Sequence, residues 1–340
     1  FAKAPVAKRR FALPEPLVKY NDKGDVHNAT YYRARCWQTG YEGAMDEDCL
    51  YLNVMTPNIS KSYPVLVFIP GGSFTTGGAD IYHWKGAIRN LVSRGIVVVT
   101  IQYRLGLLGF FTTFTERFPP NRGMYDQIQA LRWVKEEIDN FGGDSNRITI
   151  YGESAGASSV SDLSFSPLAR GLFHQIIQSS GSAIQQLESM NPPMGSVHKD
   201  RAMQICNIDS NNWGSAVKDK ELFDCLQKTA PQRLTEFDFS DVKNWNVVID
   251  GAFLPDHPEK LAETRSKYPA LMGDMLEEFA IFTPAVITGD ISIMNQNSNL
   301  EFVKNSWNYF DDDTAKNFSD TMIDGYSDGI IPEDDDHMGW

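Results

Sequence analysis

Short apolar runs alternate with a longer segment of helical periodicity in the first half of the chain. The runs at 63–70 and 95–103 are short and rich in β-branched residues, which is typical of buried strands. In residues 124–143, apolar positions recur at near-helical spacing, and the segment ends in Gly-Gly, a helix stop signal. Residues 147–152 form a third short apolar run. This order predicts an α/β fold, in which helices cover both faces of a mostly parallel sheet.

The pattern is weaker in the second half of the chain. Residues 216–229 have the periodicity of a helix, and residues 268–274 are typical of another short strand and its exit. There is no internal repeat, no low-complexity segment and no clean boundary between domains. We therefore predict one α/β domain over residues 1–340.

Composition and charge argue against disorder and against nucleic-acid binding. A hydrophobic content of 42% with 22% charged residues is that of an ordinary globular protein. The net charge of −13 argues against nucleic-acid binding, because a polyanion would be repelled. No run approaches 18 apolar residues, so no membrane span is predicted, whereas membrane anchoring and oligomeric state are not read from this sequence.

Cysteines and glycosylation sequons favour the secretory pathway. The four cysteines fall in two sequential pairs, and the chain begins with Phe1, so a signal peptide would have been removed or left out. A cytosolic enzyme with free buried thiols is the alternative. Three Asn-x-Ser/Thr sequons are candidate glycosylation sites, at Asn28, Asn58 and Asn317.

The strongest candidate for chemistry is the Gly-x-Ser-x-Gly pattern at 152–156. It stands between a predicted strand and small residues that can open a helix, which is the context of a nucleophile turn. Ser154 would sit at the tip of the turn, where crowding of the backbone leaves room only for glycine on either side. We predict Ser154 as a nucleophile; the alternative is a glycine-rich loop with an idle serine.

A second glycine turn, Pro-Gly-Gly-Ser-Phe at 70–74, follows an earlier predicted strand. A tight glycine turn lets backbone N–H groups approach a substrate carbonyl oxygen closely. We predict that the N–H groups of Gly72, Ser73 and Ala155 form an oxyanion hole, which the side chain of Ser73 could narrow. Taken alone, the segment would be only a turn.

These blocks resemble the type-B carboxylesterase and cholinesterase family. FGGDSNRITIYGESAGAS at 141–158 is similar to its serine signature, and DEDCLYLNV at 46–54 to its second signature. FAKAPVAKRRFALPEP, GGSF, VVVTIQYRLGLLGF and LFHQIIQSSGSA also resemble family blocks in the right order. The resemblance implies an α/β-hydrolase fold and hydrolysis of small-molecule esters without metal or cofactor. It also implies two disulfide bonds, Cys36–Cys49 and Cys206–Cys225.

The resemblance further implies an acid and a base for the serine. The block GDMLEEFAIF at 273–282 places Glu278 at the acid position, with Glu277 and Asp274 as alternatives because the family's usual glycine after the acid is absent. His337 is the one histidine after Glu278, and its surroundings do not resemble the family's histidine block. We therefore expect a chain trimmed at both ends, chiefly at the C-terminus, with the histidine beyond Trp340.

The expected chemistry is acyl transfer through Ser154, activated by a histidine that Glu278 orients. A chain without that histidine is expected to hydrolyse esters poorly. A general carboxylesterase is favoured over a cholinesterase, because Trp37 lies directly beside Cys36 and not deeper in the 36–49 loop, where it could stack on a quaternary ammonium. A non-catalytic adhesion or binding domain is the third alternative, and the intact turn around Ser154 argues against it.

Overall fold

The computed structural model describes residues 1–17, 28–183, 201, 203–208, 215–235 and 245–275. The chain divides into two compact units, Phe1–Gly273 and Asp274–Trp340, and almost all described residues belong to the first. One domain over residues 1–340 stays a prediction.

The described residues contain short strands and helices in alternation. The strands are β1 (Arg35–Cys36), β2 (Met45–Asp46), β3 (Leu52–Met55), β4 (Tyr63–Ile69), β5 (Val97–Ile101), β6 (Gly143–Glu153), β7 (Gln175–Ser179) and β8 (Ala270–Gly273). The α-helices are α1 (Trp84–Asn90), α2 (Gly106–Phe110), α3 (Arg122–Glu137), α4 (Ala155–Phe165), α5 (Ala216–Lys228), α6 (Pro231–Thr235) and α7 (Pro258–Leu261). Single 3-10 turns occur at Ala7–Arg9, Val92–Arg94, Ile138–Phe141 and Pro167–Ala169.

The main sheet has the strand order β3-β5-β4-β6-β7-β8. Strand β3 runs antiparallel to β5, and all other neighbours are parallel. Because the carboxyl ends of parallel strands meet at one edge, the turns that follow β4 and β6 emerge side by side. A mostly parallel sheet flanked by helices confirms the predicted α/β class.

Burial explains why these segments form the sheet. Every residue of β5 is buried, which requires the unbroken apolar run that the sequence has there. In β6, the buried positions Ile148, Ile150 and Gly152 alternate with partly exposed ones, so one face of this strand packs on the core. Helix α4 packs across β4, β6 and β7, and α3 packs against β6.

The sequence pattern located the central parallel strands, β8 and the helices α3 and α5. The runs at 63–70 and 95–103 contain β4 and β5, and the 147–152 run is the apolar part of the longer β6. The helix predicted at 124–143 begins and ends earlier, as α3, and finishes in a 3-10 turn. Strands β3 and β7 were not predicted, because each has only four or five residues with partial burial.

Both disulfides expected from the family resemblance are present. Cys36 at the end of β1 bonds to Cys49 with a Cα–Cα distance of 4.9 Å. Cys206 bonds to Cys225 on α5 with a Cα–Cα distance of 6.0 Å. All four cysteines are therefore paired.

Candidate active site

Ser154 occupies the junction between β6 and α4. Its backbone has φ 54° and ψ −126°, a conformation that a non-glycine residue adopts only when its surroundings enforce it. Its N–H donates a 2.9 Å hydrogen bond to Ser179 O, and its carbonyl accepts one of 2.9 Å from Ser158 N. The strand-to-helix turn predicted from the sequence is the geometry found, with a partly exposed serine at its tip.

The two glycines of the pattern are required by the backbone around them. A Cβ at Gly152 would lie 2.1 Å from the carbonyl oxygen of Gly156. A Cβ at Gly156 would lie 2.2 Å from the carbonyl oxygen of Ile69, the last residue of β4. Both contacts are with backbone, which cannot swing away, so the helix start is pressed against β6 and β4 only because both side chains are absent.

The second glycine turn lies against Ser154. A Cβ at Gly71 would be 3.2 Å from Ser154 Cβ and 2.4 Å from Glu153 O. Gly72 has φ 110°, and its carbonyl accepts hydrogen bonds of 2.9 Å from the N–H groups of both Thr75 and Thr76. Since this carbonyl shares a peptide plane with the N–H of Ser73, the two bonds also fix the direction of that donor.

The three predicted oxyanion donors have the properties that this role needs. Among the described residues, no hydrogen bond uses the backbone N–H of Gly72, Ser73 or Ala155. Ala155 is the first residue of α4, where backbone N–H groups lack partners within the helix and the helix dipole favours negative charge. These donors belong to the two turns that Gly71 brings together beside Ser154.

Phe74 anchors the glycine turn at 70–74, a role that the sequence patterns did not predict for this residue. Ser73 and Phe74 both have positive φ, 55° and 57°, so the turn is strained at two successive non-glycine residues. The Phe74 ring is buried at 4.9 Å from the Phe110 ring, and Phe74 O accepts a 2.7 Å bond from Gly106 N. An apolar residue directly after Gly-Gly-Ser was the available signal.

The described histidines have other roles than that of a base for Ser154. His83 caps α1 by accepting from Lys85 N at 3.3 Å, and His257 stands at the start of α7. His174 accepts from Ile148 N at 3.2 Å, and burial lowers its pKa. His174 precedes β7, so it lies at the opposite end of the parallel strands from Ser154, roughly 16 Å away.

Some predicted site residues lie outside the described part of the chain. These are Glu278 and its alternative Glu277, His337, and the sequon residue Asn317. Asp274, the other alternative for the acid, is exposed and directly follows β8. The short strand predicted ahead of the acid block is therefore present, and the acid itself stays a prediction.

Asp162 is a buried acid about two turns after Ser154 on α4. Within the described part of the chain, neither of its carboxylate oxygens has a hydrogen-bond partner, and burial raises its pKa well above the usual range. Below the pKa of the unfolded chain, both states hold the proton. As the pH rises above that value, Asp162 ionises freely in the unfolded chain, whereas burial keeps it protonated in the folded chain. The unfolded state is therefore favoured increasingly, and stability falls until the pH passes the raised pKa of the folded state.

We expect Asp162→Asn to leave stability unchanged near pH 3 and to raise the free energy of unfolding by about 1–3 kcal/mol at pH 7. The amide keeps the shape of the carboxyl but cannot ionise. Denaturant unfolding at a series of pH values measures this difference. The matched control is Asp224→Asn, which removes an exposed carboxylate paired with Lys220 and should give no gain. A gain that is independent of pH would contradict the assignment.

Together, the mostly parallel sheet and the strained serine turn between β6 and α4 define an α/β-hydrolase fold. The chain belongs to the Carboxylesterase family, whose sequence model matches residues 1–338.

Its relatives are esterases by name. Carboxylesterase 5A of Canis lupus familiaris is 36% identical over 303 residues, which cover 84% of this chain and 50% of the relative. Gut esterase 1 of Caenorhabditis briggsae is 38% identical, with 83% and 50% covered. Cocaine esterase of Homo sapiens is 36% identical, with 84% and 52% covered. The chain thus spans about half the length of the curated relatives it matches.

Proposed function

We propose that this protein is a serine carboxylic-ester hydrolase that acts through an acyl-enzyme on Ser154. The observation that carries the proposal is the strained turn at Ser154 with the uncommitted N–H groups of Gly72, Ser73 and Ala155 beside it. The names of the relatives, all esterases, support the same class of reaction.

The proposed reaction proceeds in two halves. Ser154 Oγ attacks the ester carbonyl carbon while a histidine accepts its proton, and the carbonyl oxygen becomes an oxyanion that the three N–H groups stabilise. The C–O bond to the alcohol then breaks, and the alcohol leaves with the proton from the histidine. Water attacks the acyl-enzyme in the same way and releases the acid. Glu278 is proposed to orient the histidine.

A general carboxylesterase is favoured over a cholinesterase by the surroundings of Trp37. This ring packs against the apolar core and lines a narrow crevice with Arg10, Glu47 and Arg104. Among the described residues, neither Ser154 nor the glycine turn at 70–74 lines that crevice. Trp37 thus packs against the core and lines a crevice that Ser154 does not line, which supports the general carboxylesterase.

We propose that the protein is glycosylated in the secretory pathway, at Asn28, Asn58 and Asn317. Asn28 and Asn58 are exposed, and each closes a turn by accepting from the backbone N–H two residues later, at 3.1 Å from Thr30 and 2.8 Å from Ser60. The two disulfides are compatible with this compartment. Among the helices described, none has both the length and the apolar character needed to cross a membrane.

Covalent labelling tests the proposed function. Protein expressed from the complete open reading frame is incubated with a fluorophosphonate, which is attacked only by an activated serine, and the adduct is located by peptide mass spectrometry. We expect modification of Ser154 and none in Ser154→Ala, together with hydrolysis of p-nitrophenyl acetate that is lost in the same variant. Ser158→Ala, one helical turn away, is the matched control and should label normally.

The alternatives predict other results. A non-catalytic binding domain would show no adduct at Ser154 and no difference in ester hydrolysis between the wild type and Ser154→Ala. A cholinesterase would hydrolyse butyrylcholine with a much higher kcat/KM than 3,3-dimethylbutyl butyrate, its uncharged analogue of similar shape.

A further inference from the structure

The orientation of one oxyanion donor depends on the carbonyl of the nucleophile itself. Ser154 C=O and Ala155 N–H belong to one planar peptide unit and point in opposite directions. Any group that holds Ser154 O in place therefore also aims the N–H of Ala155. The 2.9 Å bond from Ser158 N supplies one such constraint.

Gly181 supplies a second constraint from the loop after β7. A Cβ at Gly181 would lie 2.3 Å from Ser154 O and 3.1 Å from Ala157 Cβ. The loop backbone thus forms a wall directly behind the carbonyl of the nucleophile. The φ angle of Gly181 lies outside the left-handed region, so glycine is required here by the close approach and not by the backbone conformation.

Gln178 holds this loop against α4. Its side chain is 4% exposed, and its amide nitrogen donates to Ala157 O and to Gly181 O, both at 3.3 Å. Gln178 pairs in register with Gly152, the first glycine of the turn, on the neighbouring strand. The amide therefore ties the wall at Gly181 to the first turn of α4.

We propose that Gly181 and Gln178 are positioning residues that aim the Ala155 N–H at the oxyanion. This inference rests on the proposed function, because it assigns a role within the same site. Neither residue contacts the substrate. Their effect is exerted through the peptide plane between Ser154 and Ala155, which Gly181 backs directly and Gln178 fixes through Gly181.

The test compares catalysis with the binding of a transition-state analogue. In Gly181→Ala, the new Cβ rotates the peptide plane, and we expect a kcat for p-nitrophenyl butyrate that is lower by about 10- to 100-fold per labelled site, with KM within about twofold. The Ki of a trifluoromethyl ketone, whose hemiketal oxygen occupies the oxyanion hole, should rise by the same factor. Gln178→Met keeps the volume of the side chain but removes the hydrogen-bond donor. It should lower kcat and raise Ki, each by about 5-fold.

The controls separate positioning from folding and from the proposed function. Gly86→Ala makes the same chemical change where a Cβ would meet nothing within 4 Å, and should leave kcat and Ki unchanged. Active-site titration corrects for unfolded protein, and Gln178→Met carries the test if Gly181→Ala does not fold. An unchanged kcat per labelled site in the folded variants would overturn the inference alone. A wild type that is not labelled at Ser154 would overturn both.

Discussion

Gly156→Ala is expected to slow fluorophosphonate labelling of Ser154 by about 100-fold and to lower the free energy of unfolding by about 1–3 kcal/mol. The added Cβ would lie 2.2 Å from Ile69 O and 3.1 Å from the carbonyl carbon of Pro70. Those atoms lead directly into the Gly71–Gly72 turn. Relief of the clash must therefore move the start of α4, and Ser154 with it, away from the proposed oxyanion donors at Gly72 and Ser73.

Intrinsic helix propensity predicts the opposite sign for this substitution. Alanine in place of glycine within a helix stabilises by roughly 1 kcal/mol when nothing else changes. Gly86→Ala in α1 is expected to follow this propensity, since its Cβ would have open space. Labelling rates and denaturant unfolding of the two variants decide the matter. Similar behaviour of Gly156→Ala and Gly86→Ala would show that the elbow is not sterically locked.

The sequence contained enough information to place the strand-to-helix turn at Ser154, whose role as nucleophile stays a proposal. The Gly-x-Ser-x-Gly pattern is specific because at each glycine a Cβ would collide with a backbone carbonyl oxygen, that of Gly156 or that of Ile69. The buried strands β4 and β5 could also be predicted, since short unbroken runs rich in β-branched residues are typical of strands buried on both faces. The predictions at Ser154 and at the glycine turn at 70–74 depended on such local patterns of glycine and apolar residues.

The parts that could not be predicted depend on contacts between distant segments. Strand β7 is short and only partly buried, so its pattern does not distinguish it from a loop. Gln178 acquires its role from two carbonyls on other elements, and Asp162 is unusual only because the fold buries it. A glutamine or an aspartate in isolation carries no such signal, because both residue types are most often solvated.

Asp126→Asn is expected to have the largest effect on stability, a loss of about 3–5 kcal/mol. Asp126 is fully buried and accepts from Arg104 three times, from its backbone N–H at 3.0 Å and from Nε and Nη2 at 2.7 Å each. The amide cannot balance the guanidinium charge, which stays buried. A second guanidinium, that of Arg122, is also buried. Its pKa is lowered chiefly by burial and further by the nearby positive charge of Arg104.

The pair also ties the N-terminal segment to the core, which gives the prediction a local readout. Arg104 Nη1 donates to Arg10 O at 3.2 Å and to Ala12 O at 2.7 Å. Hydrogen exchange of residues around Arg10 should therefore accelerate in Asp126→Asn together with the global loss. Glu221→Gln, at an exposed pair with Lys218, is the matched control and should change stability by no more than about 0.5 kcal/mol. A loss for Asp126→Asn as small as that of the control would mean that the two carbonyls suffice to hold Arg104, and that the carboxylate contributes little to the fold.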